Sequence, residues 1–191
     1  MGSPRLKIED VPRYEALIEA IKRAYKDVVR GRYRLRDLAL VAILSFTGCR
    51  LGEALRLTIS DLNFKARTIK IIQEKKRSSF TRIVPIPSRL FWEIMERYIS
   101  KIPYSDMQLF EISDRQARNI VYKFTKRYLK RKIRPHALRH SYATFVLRKI
   151  RDLETVRRLL GHEDYSVLKA YLNYTQEDLE NDLERIFIEL E

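Results

Sequence analysis

The sequence predicts a mainly α-helical protein with one small β-hairpin. Apolar residues recur at helical spacing along most of the chain, whereas β-branched runs flank a polar stretch only at 68–73 and 82–86. The 191 residues, 45% of them hydrophobic, suit one domain with a substantial core. There is no internal repeat or low-complexity linker. We therefore expect an N-terminal tail or cloning scar over 1–12, a folded domain over 13–174 and a C-terminal helix over 175–191.

The N-terminal half contains three predicted helices. An amphipathic pattern predicts the first over 13–29. Residues 35–46 are apolar on nearly every side, which indicates a central, buried helix that ends at Thr47-Gly48. A short helix is expected to begin at Arg50. The hairpin follows, with a basic tip over 75–80, and Pro85 places its second strand at a sheet edge.

Helix boundaries are signalled clearly in the C-terminal half. An apolar helix is expected over 90–98, and a capping box at Ser113-x-x-Gln116 opens the next one. Pro135 occupies the first position of a helix that runs to about Arg148. Asp152 precedes a helix that stops at Gly161, a short helix follows Ser166, and Thr175 precedes the last helix.

The charge of the chain favours a polyanionic partner. The formal net charge is +14, but residues 176–191 hold seven acidic side chains and one basic one, so the rest of the chain carries about +20. Nucleic acid is the usual partner of such a surface. The helix that begins at Ser113 has a basic side that either faces phosphates or is an ordinary solvated helix face. It is formed by Arg115, Arg118, Lys123, Lys126 and Arg127.

Several classes of protein are disfavoured by composition. The single cysteine, Cys49, excludes a disulfide framework within the chain and fits a reducing, cytoplasmic compartment. No apolar run approaches the roughly 20 residues of a membrane span. His136 and His140 have zinc-ligand spacing, but residue 137 is alanine where the HExxH motif needs a glutamate. We expect no metal and no cofactor. The chain has only eight Asn and Gln residues in total, whereas 34% of its residues are charged. This composition is typical of thermophile proteins.

Residues suited to phosphate chemistry recur in five short segments. Arg50 lies between two of the five glycines, His136 and Arg139 share a helix face, and Leu160-Gly161 precedes His162. A guanidinium is a permanent, forked phosphate donor, and an imidazole exchanges protons near neutral pH. Tyr171 follows nine positions after His162, and the hairpin tip holds Lys75 and Lys76.

Taken together, these segments resemble the tyrosine recombinase family, which includes the phage integrases. The matching motifs are Thr47-Gly48-Cys49-Arg50-Leu51-Gly52-Glu53, the basic hairpin, His136-Ala137-Leu138-Arg139-His140, Leu160-Gly161-His162 and Tyr171, and they extend from about residue 12 to 180. The resemblance implies the catalytic-domain fold of these DNA breaking-rejoining enzymes for 13–174. It also implies a prokaryotic, viral or mobile-element origin.

The resemblance implies a role for each candidate residue in metal-free DNA strand transfer. Tyr171 is expected to be the nucleophile that forms a 3′-phosphotyrosyl bond. Arg50, Arg139 and His162 are expected to contact the scissile phosphate, and His136 to act as general acid or base. Lys75 is favoured over Lys76 as the lysine that protonates the leaving 5′-oxygen. Tyr174 is the alternative nucleophile.

The resemblance also bears on assembly and on rival functions. Family members form tetramers on double-stranded DNA and exchange a C-terminal segment between subunits. Residues 175–191 are therefore expected either to dock on a neighbouring subunit or to fold back on their own domain. Without DNA, the protein can be a monomer. Three alternatives stay open: a type IB topoisomerase, an inactive DNA-binding relative, and a helical zinc hydrolase.

Overall fold

The fold is a helical assembly with a three-stranded antiparallel sheet on one side. The computed structural model describes residues 11–74, 79–100, 102 and 107–161. The elements are α1 (Tyr14–Val29), α2 (Leu35–Thr47), α3 (Leu51–Arg56), a 3₁₀ turn (Ile59–Asp61), β1 (Leu62–Asn63), β2 (Thr68–Glu74), β3 (Ser79–Pro85), α4 (Arg89–Ile99), α5 (Asp114–Leu129), α6 (Pro135–Ile150) and α7 (Leu153–Leu160).

Helix α2 is the centre of the core, as its sequence predicts. Nine of its thirteen residues are buried, including every residue from Leu38 to Ser45. It contacts α1, α3, α4, α5 and α6. A helix that is apolar all round is stable only when neighbours cover every side. The amphipathic helices α1 and α4 pack their apolar faces on it, so the end of α2 is held rigidly at Gly48.

The sheet runs in the order β1-β2-β3, with Ile69 opposite Val84 and Ile71 opposite Arg82. The hairpin and the edge position of Pro85 agree with the sequence prediction, while the short strand β1 and the 3₁₀ turn were not predicted. Side chains alternate between faces. Ile69, Ile71 and Val84 point into the core, and Arg82, on the same face, is also buried.

Helices α6 and α7 form a second, smaller core, to which α1 contributes Tyr14. Tyr142, Val146, Leu147, Val156 and Leu160 are buried there. Tyr14 stacks on Phe145 with ring centroids 4.3 Å apart, which joins α1 to α6. Helix α6 begins at Pro135 as predicted and extends two residues beyond the expected end at Arg148. Gly161 ends α7, as its sequence indicates. The predicted helices around Tyr171 and after Thr175 lie outside the described residues.

None of the helices in the described ranges is long and apolar enough to cross a membrane.

Candidate active site

A left-handed glycine turn presents the first candidate residue. Gly48 follows α2 with φ +61, and its backbone N–H donates to the Leu44 carbonyl at 3.2 Å. A Cβ at this position would overlap Cδ1 of Tyr142. Both the backbone and the close approach of α6 therefore require glycine here. The turn directs the chain towards Arg50.

Arg50 caps the start of α3 and keeps a large part of its side chain in solvent. Its backbone N–H donates to Oε2 of Glu53 at 2.9 Å, and Nη1 donates to Oε1 at 3.0 Å. The Arg50 side chain is 42% exposed, whereas that of Glu53 is 2% exposed. One edge of the guanidinium is thus fixed to a buried carboxylate. The exposed remainder suits an anion from outside.

Glu53 also accepts a hydrogen bond from β3. Nη2 of Arg82 donates to Oε2 at 2.6 Å, and both side chains are almost completely buried. Burial alone would raise the pKa of Glu53, but the hydrogen bond and charge of Arg82, aided by Arg50 and Arg139, lower it below its ordinary value. Glu53 is therefore a carboxylate at neutral pH, held between two guanidinium groups.

Sequence reasoning did not give Glu53 and Arg82 a role. Glu53 lies in the glycine-arginine motif three residues after Arg50, at the spacing of a helix N3 residue that accepts the N-cap backbone N–H. Arg82 carried no comparable signal, because its partner lies 29 residues away.

Arg139 is buried in the wall of the site. Only 1% of it is exposed. Nη1 donates to the Gly48 carbonyl at 2.7 Å and Nη2 to the Leu160 carbonyl at 2.9 Å. Its guanidinium therefore joins the end of α2 to the end of α7. The same charge lies beside His136, one helical turn earlier on α6.

Two imidazoles accompany these guanidinium groups on α6. The rings of His136 and His140 are perpendicular, with centroids 4.5 Å apart. Desolvation, Arg139 and Arg50 lower the pKa of His136, although its side chain still reaches solvent. Burial, His136 and Arg139 lower the pKa of His140 to about 4. Both rings are consequently neutral at pH 7, and His136 can accept a proton there.

The described residues thus bring together three of the candidate residues: Arg50, His136 and Arg139. Lys75, Lys76, His162, Tyr171 and Tyr174 lie outside them. The described backbone does reach both flanks of the hairpin tip and ends at Gly161, directly before His162. Within these ranges, no group of three or more His, Cys, Asp or Glu side chains could hold a metal ion.

Comparison with known proteins identifies the family. The model of the phage integrase family matches residues 11–178, which is most of the chain. The chain belongs to the phage integrase family. A tyrosine recombinase of Pseudothermotoga lettingae is 32% identical over 149 residues, and the tyrosine recombinase XerA of Pyrococcus horikoshii is 30% identical over 168 residues. These matches cover 75% and 84% of this chain, respectively.

Solved structures show the same fold. One is the XerH site-specific recombinase in a post-cleavage complex with its palindromic difH substrate. It superimposes on this chain with a TM-score of 0.71 at 24% identity, and the match covers 93% of this chain and 52% of XerH. The XerA recombinase gives a TM-score of 0.65 at 25% identity over 90% of this chain and 60% of XerA. The predicted catalytic-domain fold is thereby confirmed. The chain spans 51% and 58% of the lengths of the Pseudothermotoga and Pyrococcus relatives.

Proposed function

We propose that this chain cleaves and rejoins double-stranded DNA as a site-specific recombinase, through a 3′-phosphotyrosyl intermediate. The observation that carries the proposal is that Arg50 follows the Gly48 turn by two residues, Arg139 donates to the Gly48 carbonyl, and the neutral His136 imidazole lies on the same helix as Arg139. Membership of the family and the names of its relatives, tyrosine recombinases, support the same activity.

The proposed reaction exchanges one phosphodiester bond for another. The phenol oxygen of Tyr171 attacks the scissile phosphorus, the bond to the 5′-oxygen breaks, and Lys75 gives that oxygen a proton. Negative charge grows on the non-bridging oxygens. The exposed guanidinium of Arg50 meets it directly, and the buried guanidinium of Arg139 adds its positive charge from the wall of the site, where other enzymes use a metal ion. His136 takes the phenol proton, which a phenol of pKa about 10 does not lose readily by itself. Rejoining reverses these steps without ATP.

The proposed substrate and assembly follow from charge and family. The excess of basic residues outside 176–191 favours DNA, and XerH is found in complex with its DNA substrate. A homotetramer on DNA, with a monomer in its absence, is the assembly we propose.

A covalent trap tests the proposal. The substrate is a library of duplexes with a randomised centre and one bridging 5′-phosphorothiolate, because a thiol of pKa about 8.5 leaves without needing a proton. The chain should form a DNA adduct stable to denaturant, and peptide mapping should place it on Tyr171. Tyr171→Phe should abolish the adduct and keep DNA binding. Tyr174→Phe is the matched control, and an adduct on Tyr174 would overturn the assignment of Tyr171.

Two further outcomes separate the alternatives. Sequencing the trapped duplexes yields a preferred site, and a defined duplex can then be made from it. Strand exchange between two such duplexes supports a recombinase, whereas supercoil relaxation by a monomer without exchange would make the chain a type IB topoisomerase. DNA binding with no adduct from any duplex would leave only an inactive relative.

Cleavage should not require a metal ion. Arginine and lysine supply the positive charge in the proposed reaction, so an excess of EDTA should leave the rate of adduct formation unchanged. A rate that collapses in EDTA and returns with Mg²⁺ or Zn²⁺ would contradict this prediction.

A further inference from the structure

Arg82 is buried at a place where a charged side chain is costly. It lies in the middle of β3, opposite Ile71, and only 5% of the residue is exposed. Among the described residues, its Nε and Nη1 atoms make no hydrogen bond. A buried ion pair with unused donors is usually less stabilising than an apolar side chain of similar size. The burial of Arg82 therefore points to a purpose other than stability.

The one strong contact of Arg82 leads directly to Arg50. Its Nη2 atom lies 2.6 Å from Oε2 of Glu53, and the same oxygen accepts the backbone N–H of Arg50 at 2.9 Å. The other carboxylate oxygen accepts Nη1 of Arg50 at 3.0 Å. Glu53 is thus a bridge with β3 at one end and the exposed guanidinium of Arg50 at the other.

The other side of Arg82 touches the end of α7. A Cβ built on Gly161 would lie 2.7 Å from Nη1 of Arg82 and 2.7 Å from Oε1 of Gln73 on β2. The guanidinium therefore fills the space that a side chain at 161 would occupy. Arg82 contacts two of the segments that carry candidate residues, at Glu53 and at Gly161.

We propose that Arg82 is a positioning residue for DNA cleavage: it fixes Glu53, and through it the Arg50 guanidinium, to the sheet whose hairpin tip carries Lys75. This inference rests on the proposed function. Arg82 itself touches neither the DNA nor the reacting atoms.

The charge state of Glu53 provides the first test. Among the described residues, four groups face this carboxyl: Arg50 from the start of α3, Arg82 from β3, Arg139 from α6 and the Cys49 thiol. Arg82→Gln removes the largest of the effects that offset the burial of Glu53, while Arg50 and Arg139 remain, so the pKa of Glu53 should rise. The ¹³C shift of labelled glutamate carboxyls measures this pKa, and Glu53→Gln assigns the signal. An unchanged, low pKa in Arg82→Gln would overturn the inference.

Cleavage provides the second test, with single-turnover adduct formation on the defined phosphorothiolate duplex. Arg82→Gln should slow cleavage of bound DNA by roughly 10- to 100-fold, the usual effect of a misplaced catalytic group. Its rate should recover only in part as the pH rises above the new pKa of Glu53, because the carboxylate then holds Arg50 again but is no longer fixed to β3. Val84→Ala is the matched control, because Val84 is buried on the same strand and face. It should lose stability and keep its rate and pH profile.

A double-mutant cycle separates positioning from general damage. In an Arg50→Lys background, Arg82→Gln should slow cleavage by less than about 3-fold, because both changes act on one guanidinium. If the double variant is slowed by the product of the factors found for Arg50→Lys and Arg82→Gln alone, the two residues act independently and the inference is overturned. Equal cleavage rates for Arg82→Gln and Val84→Ala would also overturn it. If Arg82→Gln does not fold, Arg82→Lys replaces it in these tests. Lysine keeps the positive charge, so the pKa of Glu53 should stay low. Because lysine lacks the forked donor of arginine, cleavage should still slow, but by less than the roughly 10- to 100-fold expected for Arg82→Gln.

The two proposals fail in different ways. A wild-type chain that binds DNA but forms no adduct overturns the proposed function. A wild-type chain that cleaves, beside an Arg82→Gln variant with the same rate and pH profile, overturns only the role of Arg82.

Discussion

Gly161 and Gly31 have the same left-handed backbone but different surroundings. Their φ angles are +66 and +70, yet a Cβ on Gly31 would meet nothing within 4 Å, whereas one on Gly161 would meet Arg82 and Gln73. Gly31→Ala should therefore cost only the backbone strain, about 1–2 kcal/mol. Gly161→Ala should cost roughly 1–3 kcal/mol more, for overpacking. Urea unfolding measures both, and equal losses would show that the close approach of Arg82 is unimportant.

His140 should make the folded chain sensitive to mild acid. Its pKa is about 4 in the folded protein against 6.5 ordinarily, so the unfolded chain binds the proton more readily. The stabilisation is complete above about pH 6.5 and is lost as the pH falls towards 4. The melting temperature should fall between pH 7 and pH 5. In His140→Gln the melting temperature should fall much less between pH 7 and pH 5. The lowered pKa of His136 should account for the decrease that remains. An unchanged slope in His140→Gln would contradict the prediction.

At the scale of elements, local sequence signals predicted the helices well. Pro135, Asp152 and Gly161 mark helix ends through their own backbone preferences, and the nine buried residues of α2 follow from an apolar run. These signals act within a few residues, so they can be read without the fold. The strand β1 has only two residues and pairs through Leu62 and Asn63, which is too short to leave a period-two pattern.

The candidate site was predictable only in part. Arg50, His136 and Arg139 were found because short motifs surround them, and the fold brings their segments together. The bridge through Glu53 was not found, because it depends on the register that sets Arg82 opposite Ile71 and so turns it inward. The carbonyl partners of Arg139 at Gly48 and Leu160 lie 91 and 21 residues away in sequence. Such contacts are set by packing, and one sequence does not encode them locally.

Helix α5 offers an element-scale test of DNA contact. All five residues on its basic side are exposed. However, Arg118 pairs with Asp114. Arg127 pairs with Asp27 at 2.9 Å, and its guanidinium lies over the rings of Tyr33 and Tyr128. Two of the five are therefore partly committed within the protein. Lys123 and Lys126 are the better candidates for phosphate contacts.

The lysines should contribute through counterion release. Each phosphate that the protein no longer neutralises reduces the slope of log affinity against log salt by roughly 0.9. Lys123→Gln with Lys126→Gln should therefore reduce the slope by nearly 2, and weaken binding to all sequences alike. The double variant Lys22→Gln with Lys26→Gln is the matched control, since both lysines are exposed on α1 and the same two charges are lost. A slope that changes equally in both variants would show only a general effect of net charge.

At the scale of the whole molecule, charge separates the C-terminal residues from the rest of the chain. Residues 176–191 hold seven acidic residues, and an apolar stripe runs through them at Leu179, Leu183, Ile186, Phe187 and Leu190. DNA would repel this segment, and a basic protein surface would attract it. An apolar stripe of this size is poorly suited to water, so it should be covered either by its own domain or by a neighbouring subunit.

Deleting residues 177–191 distinguishes these two arrangements. If the segment docks on a neighbour, the shortened chain should unfold at nearly the same temperature and bind DNA as a monomer, with cooperative assembly lost. Its proximity in sequence to Tyr171 would tie the nucleophile to assembly, so adduct formation should slow as well. Thermal melting, sedimentation with the defined duplex and covalent trapping measure the three properties. A shortened chain that unfolds would place the segment on its own domain. One that assembles on DNA like the intact chain would show that another surface joins the subunits.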